Sequence, residues 1–244
     1  MPETVTIATR FRGPPTSGNG GYSAGLAAKA LGGAVAEVTL FAPPPLDTPL
    51  EVARDGPEIV LVAGEREIVR ARSVDVAGAL DFEPPPAPSA KDAKDAAKRY
   101  VGVTGEHIFP GCFVCGPART AGDGLRIFPG PRKKSDGVAA PWTPGEDLAD
   151  DDGLVAKEFL WAALDCPSYF ALPRAGELMA LLGRMTAEVR ERPAPGEALV
   201  AAAWGAGSEG RKHAARSALY GADGRLLARA ACLWIELKER PKEG

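Results

Sequence analysis

Histidine is scarce in this sequence: 244 residues carry two, His107 and His213. Chemistry built on paired imidazoles therefore has little to draw on. Cysteine is also low, at four residues without a framework spacing, which argues against a disulfide scaffold and for a reducing, cytoplasmic setting. A large excess of charge of one sign is missing as well. The formal net charge is −3, so neither nucleic acid nor an anionic membrane surface is an expected partner. No apolar run approaches the roughly 20 residues of a membrane span, and Met1-Pro2-Glu3-Thr4-Val5 does not read as a signal peptide. What remains is an ordinary globular composition, 45% hydrophobic and 25% charged. The length suits one large domain or two small ones with a real core.

Strong alanine and glycine usage comes to a focus at Ser17-Gly18-Asn19-Gly20-Gly21-Tyr22-Ser23. This glycine cluster opens an alanine-rich helix that Gly32-Gly33 stops. First-turn amides of a helix lack internal acceptors, so such a start can hold an anion or a polarised oxygen. Thr4 to Arg12 alternates as a strand before it. Strands follow at Ala36–Phe41, Leu50–Arg54, Glu58–Ala63 and Glu67–Val76, and their short turns imply antiparallel neighbours.

Pro84-Pro85-Pro86-Ala87-Pro88 is stiff, and a polar helical piece runs from Ser89 through Tyr100. The pattern then repeats. Strands are expected at Gly124–Phe128 and Gly137–Trp142, and Asp150-Asp151-Asp152-Gly153 is a polar loop able to cap a helix. A helix runs from Lys157 to Phe170, with Pro167 expected to kink or end it. A meander closes the chain over Leu178–Val189, Ala198–Ala206, Arg211–Tyr220 and Leu226–Leu237. The predicted organisation is a first repeat at 1–80, a linker at 81–107 and a second repeat at 108–240. In each repeat a sheet wraps one central helix.

Cys112-Phe113-Val114-Cys115-Gly116-Pro117, Gly124-Leu125-Arg126-Ile127, Trp142-Thr143-Pro144, Gly153 and Ala162-Ala163-Leu164-Asp165 together resemble the hotdog-fold acyl-CoA thioesterases. The branch most resembled is the phenylacetyl-CoA thioesterase-like one. Asn19-Gly20-Gly21 is similar to the His-Gly-Gly that opens the family's helix. The resemblance implies an α+β double hotdog, two antiparallel sheets each wrapping a long helix. It also implies a soluble thioester hydrolase without cofactor or metal, acting on a small-molecule acyl-CoA. Exposed edges leave room for a homodimer.

Hydrolysis of a thioester needs a carboxylate base or nucleophile and a donor for the carbonyl oxygen. The resemblance splits these between the halves. Nine residues beyond Asn19 stands Ala28 where the family has an acid, and nine residues before Asp165 stands Ala156, followed by Lys157 and Glu158 instead of the family's glycines. One composite site is the expectation: Asp165 as base or nucleophile, Gly20 or Gly21 N–H as oxyanion donor, Asn19 orienting the carbonyl or a water. Tyr22, Ser23, Trp161, Ala162 and Glu158 would contact substrate. A second site near Ala28 and Lys157 would be dead.

Structural roles compete at each position. Asn19 suffices as an N-cap, Gly20 and Gly21 as packing residues, Trp161 as core. Asp165 serves equally as a polar residue near the end of its helix. Cys112 and Cys115 form a lone C-x-x-C, with His107 nearby in sequence and Cys166 and Cys232 distant. The expectation is a plain turn, not a metal site. Arg132-Lys133-Lys134 is either a solvated loop or a contact for coenzyme A phosphates. The glycines do not spell G-x-G-x-x-G and no P-loop lysine follows, so a nucleotide site is disfavoured. A hotdog hydratase is disfavoured because neither histidine lies on a predicted central helix. A non-catalytic acyl-CoA-binding or scaffold protein is the standing alternative.

Overall fold

The computed structural model describes residues 3–105, 107–133 and 135–238. The strands are β1 (Thr4–Thr6), β2 (Val35–Leu40), β3 (Pro49–Asp55), β4 (Glu58–Ala63), β5 (Arg66–Arg72), β6 (Gly130–Pro131), β7 (Val138–Trp142), β8 (Ala180–Val189), β9 (Leu199–Glu209), β10 (Lys212–Gly221) and β11 (Leu226–Glu236). The α-helices are α1 (Gly20–Leu31), α2 (Val76–Ala79), α3 (Ala90–Ala97), α4 (Val101–Thr104) and α5 (Lys157–Phe170).

All eleven strands form one antiparallel sheet in the order β1-β3-β4-β5-β2-β8-β11-β10-β9-β7-β6. This corrects the expectation of two sheets. The seam is β2 against β8, where Val35 to Thr39 pairs with Glu188 to Arg184. Each half would otherwise leave a long strand edge unpaired, and pairing the two edges satisfies both rows of backbone groups. Helix α1 packs on β2, β4 and β5, while α5 packs on β9, β10 and β11; the two helices also pack on each other.

Both central helices follow from local chemistry. Asn19 caps α1, its side chain accepting from Tyr22 N–H at 2.9 Å. Gly32 ends it at φ +84°, a conformation glycine adopts without penalty. Helix α5 has no side-chain cap. Its N-cap is Ala156, and the expected aspartates instead hold cations: Asp150 and Asp152 pair with Arg192, and Asp150 also with Lys29.

Pro167 does not end α5. The last turn is buried through Ser168, Tyr169 and Phe170. The Ser168 hydroxyl donates to the Asp165 carbonyl at 2.7 Å and accepts from Trp234 Nε1 at 2.8 Å. Packing and these bonds outweigh the lost proline N–H.

Two predicted strands also resolve differently. The first ends at Thr6, and Thr9–Phe11 is a 3₁₀ turn. Gly124–Phe128 is irregular, yet Leu125 and Ile127 are buried and their amides bond to the Phe113 and Val114 carbonyls. Its alternation is therefore real, but its partner is a loop.

Candidate functional site

The two central helices cross at glycines. A β-carbon on Gly21 would lie 2.4 Å from Asp165 Cβ and 2.7 Å from the Trp161 carbonyl; one on Gly25 would lie 2.6 Å from Glu158 Cα. Gly21 and Gly25, one helical turn apart, let α1 settle directly onto α5. Gly20 faces the sheet instead, where a β-carbon would sit 3.0 Å from Leu182 Cβ on β8.

This close approach delivers Asp165 to the start of α1. Its Oδ2 accepts from Gly21 N–H at 3.0 Å and from Asn19 Nδ2 at 2.9 Å. The Asn19 oxygen is meanwhile occupied by the Tyr22 amide, so this side chain caps its own helix and holds the carboxylate at once. Asp165 is 1% exposed, and Oδ1 is buried with no hydrogen-bond partner among the described residues. Burial pushes its pKa up to about 7, against the lowering effect of the Gly21 and Asn19 bonds. A carboxyl group poised near neutrality, with one oxygen free, suits proton transfer.

Asp165 opens onto a cavity of about 300 Å³. Asn19 and Gly20 line it from α1, and Asp165, Cys166 and Tyr169 from α5. Phe41 to Pro44 line it from the β2–β3 connection, and Leu181 and Leu182 from β8. Apart from Ser17, His107 and the cysteines the rest of the wall is apolar, and Phe41 on it is 59% exposed. Among its lining residues there is no lysine or arginine.

Several residues expected at the substrate lie elsewhere. Tyr22, Ser23, Trp161, Ala162 and Glu158 do not line this cavity. Tyr22 stacks on Phe11 at 4.3 Å between ring centroids, in an aromatic cluster with Phe113 and Phe159. The Ser23 hydroxyl donates to the Asn19 carbonyl, and Ala162 lies under the Gly21 crossing. Glu158 shares the Asp165 face of α5 but pairs with Lys29 at 2.9 Å. The helical spacing placed these residues on one face; it did not say that the neighbouring helix covers most of that face.

The region of Ala28 and Lys157, expected to be dead, holds a cavity of only about 10 Å³, which Trp161 helps close. Arg132 pairs with Asp92 at 2.8 Å near the β6 edge and is absent from the larger cavity's lining. Lys134 lies outside the described residues.

Sequence reasoning missed three contributions to this wall. One is the Phe41–Pro44 connection, another His107, and the third the set of three cysteines. Proline-rich connections and isolated thiols carry no periodic signal, so only the C-x-x-C spacing hinted at any of them.

No family model matches the chain, and no curated protein matches it in sequence. Solved structures do match in shape. The tesB protein of Mycobacterium avium subs paratuberculosis superposes with a TM-score of 0.60 at 14% identity, over 92% of this chain and 89% of that one. A conserved protein of unknown function with hot dog fold from Alicyclobacillus acidocaldarius gives 0.57 at 13% identity, over 97% and 93%. The chain has the hotdog fold. An acyl-CoA thioesterase II from Mycobacterium marinum, at 0.54 and 11% identity over 84% and 80%, shares that hotdog architecture. At such identities the likeness is one of fold, and the chemistry of this hotdog chain has to be argued from its own residues.

Proposed function

We propose that this protein hydrolyses an acyl-CoA thioester at the junction of α1 and α5. The observation that carries the reading is Asp165: a buried carboxyl group with one partner-free oxygen, poised near pH 7, lining a largely apolar cavity. The name of one structural neighbour, an acyl-CoA thioesterase II, agrees with it.

In the proposed reaction the acyl chain enters between Phe41 and β8, and its carbonyl carbon approaches Asp165. The carboxylate removes a proton from a water that attacks the carbonyl. Negative charge developing on the carbonyl oxygen is met by the amide of Gly20, which lines the cavity at the first position of α1, where no helical acceptor exists. Gly21 N–H serves differently from the expectation: it is engaged by Asp165 itself, and so holds the base. Coenzyme A leaves as the thiol, which takes the proton from Asp165. The proposal keeps the chain as a double hotdog, repeats at 1–80 and 108–240 joined by 81–107, sharing one continuous sheet.

The purified chain tested against acyl-CoAs of graded length, with a thiol-reactive dye reporting free coenzyme A, should show hydrolysis that favours apolar acyl groups. A second reading has its own support: the bonds from Gly21 and Asn19 make Asp165 a sufficient helix-to-helix staple without chemistry. With Asp165 only a staple, the cavity would bind an acyl-CoA without cleaving it, and thermal stabilisation by an acyl-CoA without release of thiol would favour that reading.

A further inference from the structure

Three of the four cysteines meet in space. The Sγ atoms of Cys112, Cys115 and Cys166 all lie within 4.8 Å of one another, all three side chains are buried, and all three line the cavity wall. Cys166 stands 54 residues from Cys112 in the chain, and it is the residue after Asp165 on α5.

The spacing of these atoms has a chemical meaning. Bonds of about 2.3 Å from zinc to sulfur, at tetrahedral angles, put two sulfurs about 3.8 Å apart; replacing one sulfur by an imidazole nitrogen at about 2.0 Å shortens that edge to about 3.5 Å. Cys112 Sγ is 3.7 Å from Cys166 Sγ, and Cys115 Sγ is 3.6 Å from His107 Nε2. A disulfide would need about 2.05 Å between sulfurs, far shorter than the 3.7 Å observed here.

The turn that carries the first two thiols is shaped for this. Gly116 closes the turn by donating its N–H to the Cys112 carbonyl at 2.9 Å. A β-carbon there would fall 2.4 Å from the Pro110 carbonyl and 2.5 Å from that of Cys112. Small apolar packing alone does not ask for so tight a turn.

We propose that Cys112, Cys115 and Cys166 bind one divalent cation of the zinc class, with His107, which meets Cys115 but stands outside the close cluster of the three sulfurs, moving in as the fourth donor. The three thiols give up their protons on binding. The ion ties the 107–115 segment to α5 beside Asp165, fixing one wall of the cavity. His107 is the weakest of the four donors. Its Nδ1 accepts the Phe109 N–H at 2.9 Å, so without metal the neutral ring carries its proton on Nε2. Ligation costs that proton and that bond. The proposal departs from the expectation of a plain turn because the fold brings Cys166, distant in sequence, to Cys112. It does not depend on thioester hydrolysis.

The test is metal content of the full chain, purified in reductant without a metal-affinity tag. Elemental analysis should find about one zinc per chain, and Cys112→Ser, Cys115→Ser and Cys166→Ser should each fall to background while Cys232→Ser keeps it. His107→Ala should keep the ion but surrender it faster to a chelator; an unchanged rate overturns His107 as a ligand. Because a serine variant can fail to fold, the wild-type chain is also refolded with cobalt(II). Intense visible bands of a tetrahedral cobalt–thiolate site are expected. Background zinc together with absent cobalt bands, or a Cys112–Cys166 disulfide in the reduced preparation, overturns the proposal whether or not the protein hydrolyses thioesters.

Discussion

The Asn19 side-chain amide donates to Asp165 Oδ2 at 2.9 Å across 146 residues of chain. One side chain thus caps the start of a helix in the first half and orients an acid in the second. Asn19→Ala removes both roles. Loss of the cap alone should cost about 1–2 kcal/mol, measured by urea unfolding. Loss of the Nδ2 donor should raise the Asp165 pKa further, because the charged form loses a partner. Stability within a few tenths of wild type would contradict this dual role.

The helix crossing at Gly21 tolerates no β-carbon. Gly21→Ala forces α1 and α5 apart and should cost about 1–3 kcal/mol, the range for overpacking a tight core. Gly20→Ala meets Leu182 Cβ at 3.0 Å, a wider approach than the 2.4 Å at Gly21, and should cost less. Thermal unfolding of the pair checks the order; the reverse ranking would contradict the crossing geometry.

Asp165 also sets a pH dependence. Its folded pKa, raised to about 7, lies above the unfolded value of about 3.9. The folded state therefore holds the proton where the unfolded chain has lost it. The stability this contributes is fully present below about pH 4 and is lost as pH rises through about 7. Urea titrations of wild type and Asp165→Asn from pH 4 to 8 should show wild type losing ground to the variant across that window. A pH-independent difference would contradict it. Hydrolysis should run the other way, because the base must be ionised: kcat/KM should climb with pH and level off above about 7.

Glu158 is the control acid. It lies two helical turns before Asp165, is almost as buried, and pairs with Lys29 outside the cavity lining. Glu158→Gln should leave acyl-CoA kinetics within about twofold of wild type while lowering stability modestly, since Lys29 keeps Asp150 as a partner. A large fall in kcat would move the chemistry toward Glu158.

The helices were readable because their signals are local. Asn19 and Gly32 bracket α1, and the apolar stretch from Phe159 to Phe170 writes α5 despite Pro167. The split of glycines and acid between the halves was also readable, and the fold does bring Gly20, Gly21, Asn19 and Asp165 together. Long-range pairing was not. The β2–β8 seam joins two strands whose sequences look like any half-buried strand, so one sheet could not be told from two. Trp161 and Glu158 share a face with Asp165, but periodicity cannot say which part of a face a second helix covers. Cys166 joins Cys112 and Cys115 only once α5 is docked.

The most direct measurement is turnover of an acyl-CoA by Asp165→Asn beside wild type, with near-identical circular dichroism to show that both are folded. The variant keeps an oxygen for the Gly21 amide but loses the ionisable group. The account predicts kcat reduced by about 100-fold or more, with KM little changed. Turnover within about twofold of wild type would contradict it and leave Asp165 as a staple between two helices.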